Sequence, residues 1–167
     1  ILCDGQGTDA QGVIESMDRK SVIVHIQERR ANASEPTRHV TLYLAILKRE
    51  HLELAVQKAT EVGVCEIIPL ITARTIKQNA NMERLQTIAR EAAEQSGRGR
   101  VPVVHEPMSF EQACKQRSKN EASFFFDLNA PILDTRYAIP DTPTCLFIGP
   151  EGGWTPEERK QAESEGL

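Results

Sequence analysis

An α/β fold with a small all-β segment at its start is what this sequence predicts, on three observations. Residues 1–40 hold consecutive short apolar strands with no helical periodicity. From residue 41 onward, apolar strands alternate with amphipathic helices, the pattern of a largely parallel sheet covered on both faces. The last apolar strand, Leu146–Ile148, runs into a glycine-rich turn and then a well-capped helix start. At 167 residues, 40% of them hydrophobic and 26% charged, the chain can bury one α/β core and carry a small appendage.

The elements follow in order. Asp4-Gly5-Gln6-Gly7 is a turn after a short strand, and strands follow over 12–17 and 21–27, joined by the polar turn Asp18-Arg19-Lys20. Val22, Val24 and Ile26 alternate with Ile23 and His25, so one face of that strand is the more apolar. Residues 28–38 are charged, contain Pro36 and read as a linker. A strand over 41–47 precedes a helix over 51–62, whose Leu52, Ala55, Val56, Ala59 and Val62 share a face and whose end is marked by Gly63. A strand over 66–70 leads to a helix over 82–95 with Asn81 as N-cap and Met82, Leu85, Ile88, Ala89, Ala92 and Ala93 as its apolar stripe. A short strand over 101–104 precedes a helix over 109–117, where Ser109 and Gln112 form a capping box. Strands over 123–127 and 144–148 are of the buried type. Thr155-Pro156-Glu157-Glu158 then opens the final helix with an N-cap, proline in the first turn and acids against the helix dipole.

Composition narrows the function classes. No apolar run reaches membrane-spanning length and no leader-like segment opens the chain, so the expected location is cytoplasmic and no membrane partner is expected. Cys3, Cys65, Cys114 and Cys145 are too scattered for a metal motif. They are expected to be free thiols, with Cys3, Cys65 and Cys145 packed as small hydrophobes; no metal is expected. A net charge of −4 means that any nucleic-acid footprint must be a local patch. The chain begins inside an apolar strand and stops where another strand is due, so it is expected to be part of something longer.

Three segments could carry chemistry. Leu146-Phe147-Ile148-Gly149-Pro150-Glu151-Gly152-Gly153-Trp154-Thr155-Pro156 sits where open α/β sheets bind ligands, although a tight strand-to-helix turn explains its glycines equally well. It lacks the Lys-Ser/Thr of a phosphate-binding loop. Glu94-Gln95-Ser96-Gly97-Arg98-Gly99-Arg100 ends a helix with two arginines, either as an ordinary basic helix end or as a clamp for RNA phosphate. Gln57-Lys58-Ala59-Thr60-Glu61-Val62-Gly63, read alone, is a solvated helix face. His25, His51 and His105 carry no more than a surface or packing reading.

Together and in this order, Gln57–Val64, Ala92–Arg98 and Ile148–Gly153 resemble the RsmE family, which methylates N3 of a uridine (uridine 1498) in 16S rRNA of the small ribosomal subunit. The likeness is strong over about residues 41–167 and looser over 1–30. It implies a partial PUA-like β-barrel at 1–38 that binds RNA, and a SPOUT α/β methyltransferase domain at 39–167. The C-terminal trefoil knot of such a domain is expected to be incomplete within these residues, which do not include the family's knot-completing segment. It also implies S-adenosylmethionine as cofactor, 16S rRNA as partner and a homodimer. Ile148, Gly149, Pro150, Glu151, Gly152 and Gly153, with Asp127 and the loop after it, would line the cofactor pocket. Glu94, Arg98 and Glu151 would serve catalysis, and Lys58, Gln95, Arg98 and Arg100 would hold substrate RNA. The glycine turn and the arginine-bearing helix end would converge on one cleft. Lys48-Arg49-Glu50 stands where the family often has Lys-Gly-Asp, and the stretch around Lys77 to Asn81 is short. Rival readings are a different SPOUT enzyme acting on tRNA or a ribose hydroxyl, an RNA-binding paralogue without chemistry, and a generic nucleotide-binding α/β protein.

Overall fold

Two sheets divide the chain in a computed structural model, which describes residues 1–76, 80–130 and 141–167. Strands β1 (Leu2–Cys3), β2 (Thr8–Met17) and β3 (Val22–Ala31) form an antiparallel sheet in that order. The hairpin between β2 and β3 turns where the sequence predicts it, because the Asp18 carboxylate accepts the backbone N–H groups of Lys20 and Ser21 at 2.7 and 2.8 Å. The alternation along β3 holds only in part. Val24 and Ile26 are half-buried, whereas Val22 and Ile23 are exposed along with Val13, Ile14 and Met17, since the hairpin tip projects away from the core.

Strands β4 (Val40–Ala45), β5 (Glu66–Ile71), β6 (Val103–Val104), β7 (Met108–Ser109), β8 (Ala122–Phe126) and β9 (Thr144–Ile148) make the second sheet, all pairs parallel. Its order is β6-β5-β4-β9-β8, with β7 also on β5. Helices α1 (Arg49–Glu61) and α2 (Met82–Ser96) cover one face, where Leu42, Leu44 and Ile67 meet Leu52, Val56, Leu85 and Ala89. Helices α3 (Phe110–Gln116) and α4 (Pro156–Ser164) cover the other, where the alternate strand residues Tyr43, Ile68, Leu70 and Phe147 meet Phe110, Ala113 and Ala162. The period-two split of β4 and β5 between the faces is what a strand buried on both sides requires.

The expected caps form. The Asn81 side chain accepts Arg84 N–H at 2.9 Å, and both capping boxes, Ser109/Gln112 and Thr155/Glu158, close. Gly97 stops α2 with φ +71, a conformation nearly free of cost only to glycine. Three expectations need correction. Val62 is exposed because α1 ends one residue before it. The strand over 101–104 shrinks to β6 because Pro102 has no N–H for the ladder. Of the cysteines, Cys114 and Cys145 are buried, Cys65 is half-buried and Cys3 is exposed, its thiol lying 3.2 Å from Gly99 O. All four are free. The short stretch expected around Lys77 to Asn81 falls mostly on 77–79, outside the described residues, as do 131–140 of the loop after Asp127.

The segment read as a linker holds the two sheets together. Arg98 is buried after α2 and donates to Thr60 O at 3.1 Å, to Val64 O at 2.7 Å and to the Glu35 carboxylate at 3.1 Å. Glu35 also accepts the Arg100 N–H at 2.8 Å. With side-chain exposures of 3% and 13%, this pair is shielded from the water that weakens surface ion pairs. Glu35→Ala leaves a buried guanidinium without its anion. It is expected to lower stability by about 3–5 kcal/mol, read as an earlier urea midpoint, whereas Lys58→Ala, which opens only an exposed pair with Glu61, is expected to stay within about 0.5 kcal/mol.

Candidate functional site

Adjacent parallel strands whose following loops leave on opposite faces open a crevice between their carboxyl ends. Strands β4 and β9 are such a pair. They are paired from Val40↔Thr144 to Leu44↔Ile148, and the chain then leaves β4 toward α1 on one face and β9 toward α4 on the other. A cavity of about 350 Å³ lies there, lined by Ile46, Leu47, Lys48, Arg49, Glu50, His51, Ile76 and Glu151.

The glycine turn after β9 is held from below by Trp154. Its indole is buried, its Nε1 donates to Phe126 O at 2.9 Å, and its ring stacks on Phe125 at 4.6 Å and lies 4.9 Å from Phe110. A Cβ on Gly149 would lie 2.8 Å from the indole, so this position is glycine because the backbone rests directly on the ring. Gly153 supplies the positive φ, +70, that closes the turn, and its N–H donates to Pro150 O at 2.8 Å. Neighbouring loops clamp the turn from the side. The Arg74 guanidinium donates to Gly152 O. Buried Glu158 accepts Ala73 N–H at 2.8 Å and Thr155 N–H at 2.9 Å, so one capping carboxylate joins the β5 loop to the start of α4.

Glu151 stands at the crest of this turn, half in water. Its carboxylate faces His51 Nδ1 and Lys48 N–H, both at 3.4 Å. Its own backbone N–H, then His51 and the Lys48 N–H, hold it below the ordinary carboxylate value against a burial effect that raises it, so it is an anion at neutral pH. Burial pushes the Asp127 carboxyl up, but the Asn129 N–H and the Arg159 guanidinium outweigh this and hold it low. Arg159 and Asn129 occupy this carboxylate, so Asp127 shapes the loop after β8 and is not a free acceptor for a cofactor. Beside it Phe126, Leu128 and Ile148 are exposed at the ends of β8 and β9.

The other expected site residues lie elsewhere. Arg98, taken from the sequence as facing the cleft, is internal and bound to Glu35. Arg100 is exposed next to the first sheet, bridged to Gln6. Glu94 is exposed on a groove of about 590 Å³ shared by α2 and the N-terminal strands, with Arg90 and Asn32. Gln95 faces a second groove, between α1 and α2, and Lys58 is engaged by Glu61 at 2.8 Å. Within one chain the glycine turn and the arginine-bearing helix end therefore do not converge. They occupy opposite ends of the sheet, because α2 runs back to the amino ends of the strands, where Arg98 meets Val64 just before β5. Sequence reading missed His51, Lys48, Arg74 and Glu158. For His51 and Lys48 the available signal was their place right after an apolar strand, at the start of a helix. Among the described residues no three His, Cys, Asp or Glu side chains could hold a metal ion, and no helix is long and apolar enough to cross a membrane.

A parallel sheet with a ligand-sized crevice at its switch point, floored by a glycine turn, defines an α/β domain of the ligand-binding kind. The chain belongs to the RNA methyltransferase domain family, whose model matches residues 33–167. It is similar to the ribosomal RNA small subunit methyltransferase E of Mesomycoplasma hyopneumoniae, at 32% identity over 85% of this chain and 64% of that protein. It is also similar to the protein of that name from Synechocystis, at 36% identity over 77% of this chain and 45% of that protein. The chain thus spans about half to two thirds of these relatives. Among solved structures, the same methyltransferase from Neisseria gonorrhoeae, bound to S-adenosyl methionine, matches with a TM-score of 0.89 at 26% identity over 99% of this chain and 71% of that one. A methyltransferase from Legionella pneumophila in complex with the same cofactor matches with a TM-score of 0.86 at 27% identity over 99% and 70%.

Two outcomes follow from this geometry. Gly149→Ala forces a methyl group onto the indole and is expected to cost about 1–3 kcal/mol, with a shifted emission maximum, since Trp154 is the chain's one tryptophan. The depressed Asp127 contributes stability that is present above the unfolded carboxylate value and is lost as pH falls through the lower folded one. Acid unfolding of Asp127→Asn is accordingly expected to show a flatter pH dependence than wild type below about pH 4.

Proposed function

We propose that this protein transfers a methyl group from S-adenosylmethionine to N3 of uridine 1498 in 16S rRNA of the small ribosomal subunit, as a cytoplasmic homodimer. In this reading residues 1–38 belong to a PUA-like barrel that binds RNA, and residues 39–167 to a SPOUT domain with a C-terminal trefoil knot. The observation that carries it is the rigid glycine turn at the β4/β9 crevice, with Glu151 on its crest. Family membership and the two donor-bound relatives add to it.

The residues present fit a nucleoside sulfonium donor. Gly149 to Gly153 bring backbone within reach of a ligand, and exposed Ile148, Phe126 and Leu128 offer an apolar surface for a purine ring. Ile148 to Gly153 and the loop opened by Asp127 would hold the donor, which supplies an electrophilic methyl carbon. Glu94, Gln95, Arg100 and Lys58 lie along exposed faces of α1 and α2, with Arg100 beside the first sheet, and serve as the RNA-facing side. Because this side lies at the amino ends of the strands, a second subunit has to bring it to the crevice of the first. Arg98 then acts by fixing the helix end from which Arg100 departs, through Glu35.

The test is nucleoside mass spectrometry of small-subunit rRNA after incubation with the protein and isotope-labelled donor. Label in 3-methyluridine is expected. Label in a ribose 2′-O-methyl nucleoside or in tRNA, or donor binding without any transfer, overturns the assignment.

A further inference from the structure

We propose that His51 and Glu151 form the proton-accepting pair of this site, with His51 Nε2 taking the ring N–H proton of the target base and Glu151 positioning the imidazole. The inference rests on the methyl-transfer reading above and adds to it the residue that frees the nucleophile. A ring nitrogen that carries hydrogen cannot attack carbon until its electron pair is released, so transfer to such a nitrogen needs a base at the crevice.

His51 is placed for this. It lies in the first turn of α1, directly after β4, and lines the 350 Å³ cavity at the switch point. Its Nδ1 faces Glu151 Oε1 at 3.4 Å; a carboxylate can only accept there, so in the neutral ring this contact favours the tautomer with hydrogen on Nδ1 and the lone pair on Nε2. Among the described residues nothing hydrogen-bonds to Nε2. The carboxylate–imidazole arrangement is the general way of holding one tautomer ready to accept a proton. Of the charged groups around the ring, Lys48, Arg49 and Glu50 come from its own helix start and Glu151 from the β9 loop, while the β5 loop contributes apolar Ile76. Arg49 is taken up by Glu53 at 2.8 Å. Lys48 and the N–H end of the α1 dipole, which carries no side-chain cap, favour the negative charge that develops on the base. Ile46, Leu47 and exposed Ile76 give the cavity apolar walls suited to a planar ring.

The step balances. The ring N–H proton passes to His51 Nε2, and the freed nitrogen pair forms the nitrogen–carbon bond to the methyl group. The carbon–sulfur bond breaks with its electrons going to sulfur, which becomes a neutral thioether. The imidazolium returns its proton to water.

The test has two arms, on wild type, His51→Gln and Glu151→Gln. Nitrogen NMR of 15N-histidine-labelled protein, with the His51 signal assigned by its loss in His51→Gln, is expected to show the Nδ1–H tautomer in wild type and a mixture in Glu151→Gln, with His25, His39 and His105 unchanged. In methylation assays His51→Gln is expected to lose about 100- to 1,000-fold in kcat and to lose the wild-type pH profile, with KM for the donor and the circular dichroism spectrum unchanged. Glu151→Gln is expected to fall between the two. A His51→Gln protein with wild-type rate and pH profile overturns this role alone, and so does a His51 tautomer indifferent to Glu151→Gln. A wild-type protein that methylates no rRNA overturns the function and this role with it.

Discussion

In a parallel sheet each connecting helix must run back against its strands, and the rest of this molecule follows from that constraint. Strand ends and helix starts gather on one edge; helix ends and strand starts gather on the other. Insertion of β9 between β4 and β8 makes the neighbours β4 and β9 send their chains to opposite faces, and a ligand in the crevice between them can reach several loops at once. Lys48 and His51 meet Glu151 there although at least 100 residues of sequence separate them from it.

The crevice is built from rigid parts. Trp154 is packed against Phe110 and Phe125, anchored to the Phe126 carbonyl, and overlaid by the Gly149 backbone. Each aromatic contact of this kind contributes about 0.5–1.5 kcal/mol beyond the area it buries. Glu158 and Arg74 tie the turn to the β5 loop, so three strand ends are bound into one floor. Such a floor loses little entropy when a ligand settles on it.

The opposite edge has another role. There the first sheet docks through Glu35 and Arg98, with Gly7 N–H donating to Gly99 O at 2.7 Å and Val101 N–H to Gly5 O at 3.1 Å. A fully desolvated arginine that satisfies two carbonyls and a carboxylate fixes geometry more than it adds stability. It holds the helix end from which Arg100 departs in register with the N-terminal strands.

Much of the architecture was legible in the residues. The change from strand pairs to strand–helix alternation near residue 40, the apolar stripe of α2, the caps at Asn81, Ser109 and Thr155, and the glycine stop at Gly97 are local signals, set by short-range sterics and hydrogen bonds. The glycine turn stood out for the same reason. Burial and proximity are not local, and there the residues by themselves misled: Arg98 reads as an exposed cation but is internal, and Glu35 reads as linker but is its counter-ion. His51 is at the surface, as it reads, but no local signal pairs it with Glu151. Only the tertiary structure decides these, because which side chains meet depends on strand order, and strand order is a property of the folded sheet rather than of any segment within it.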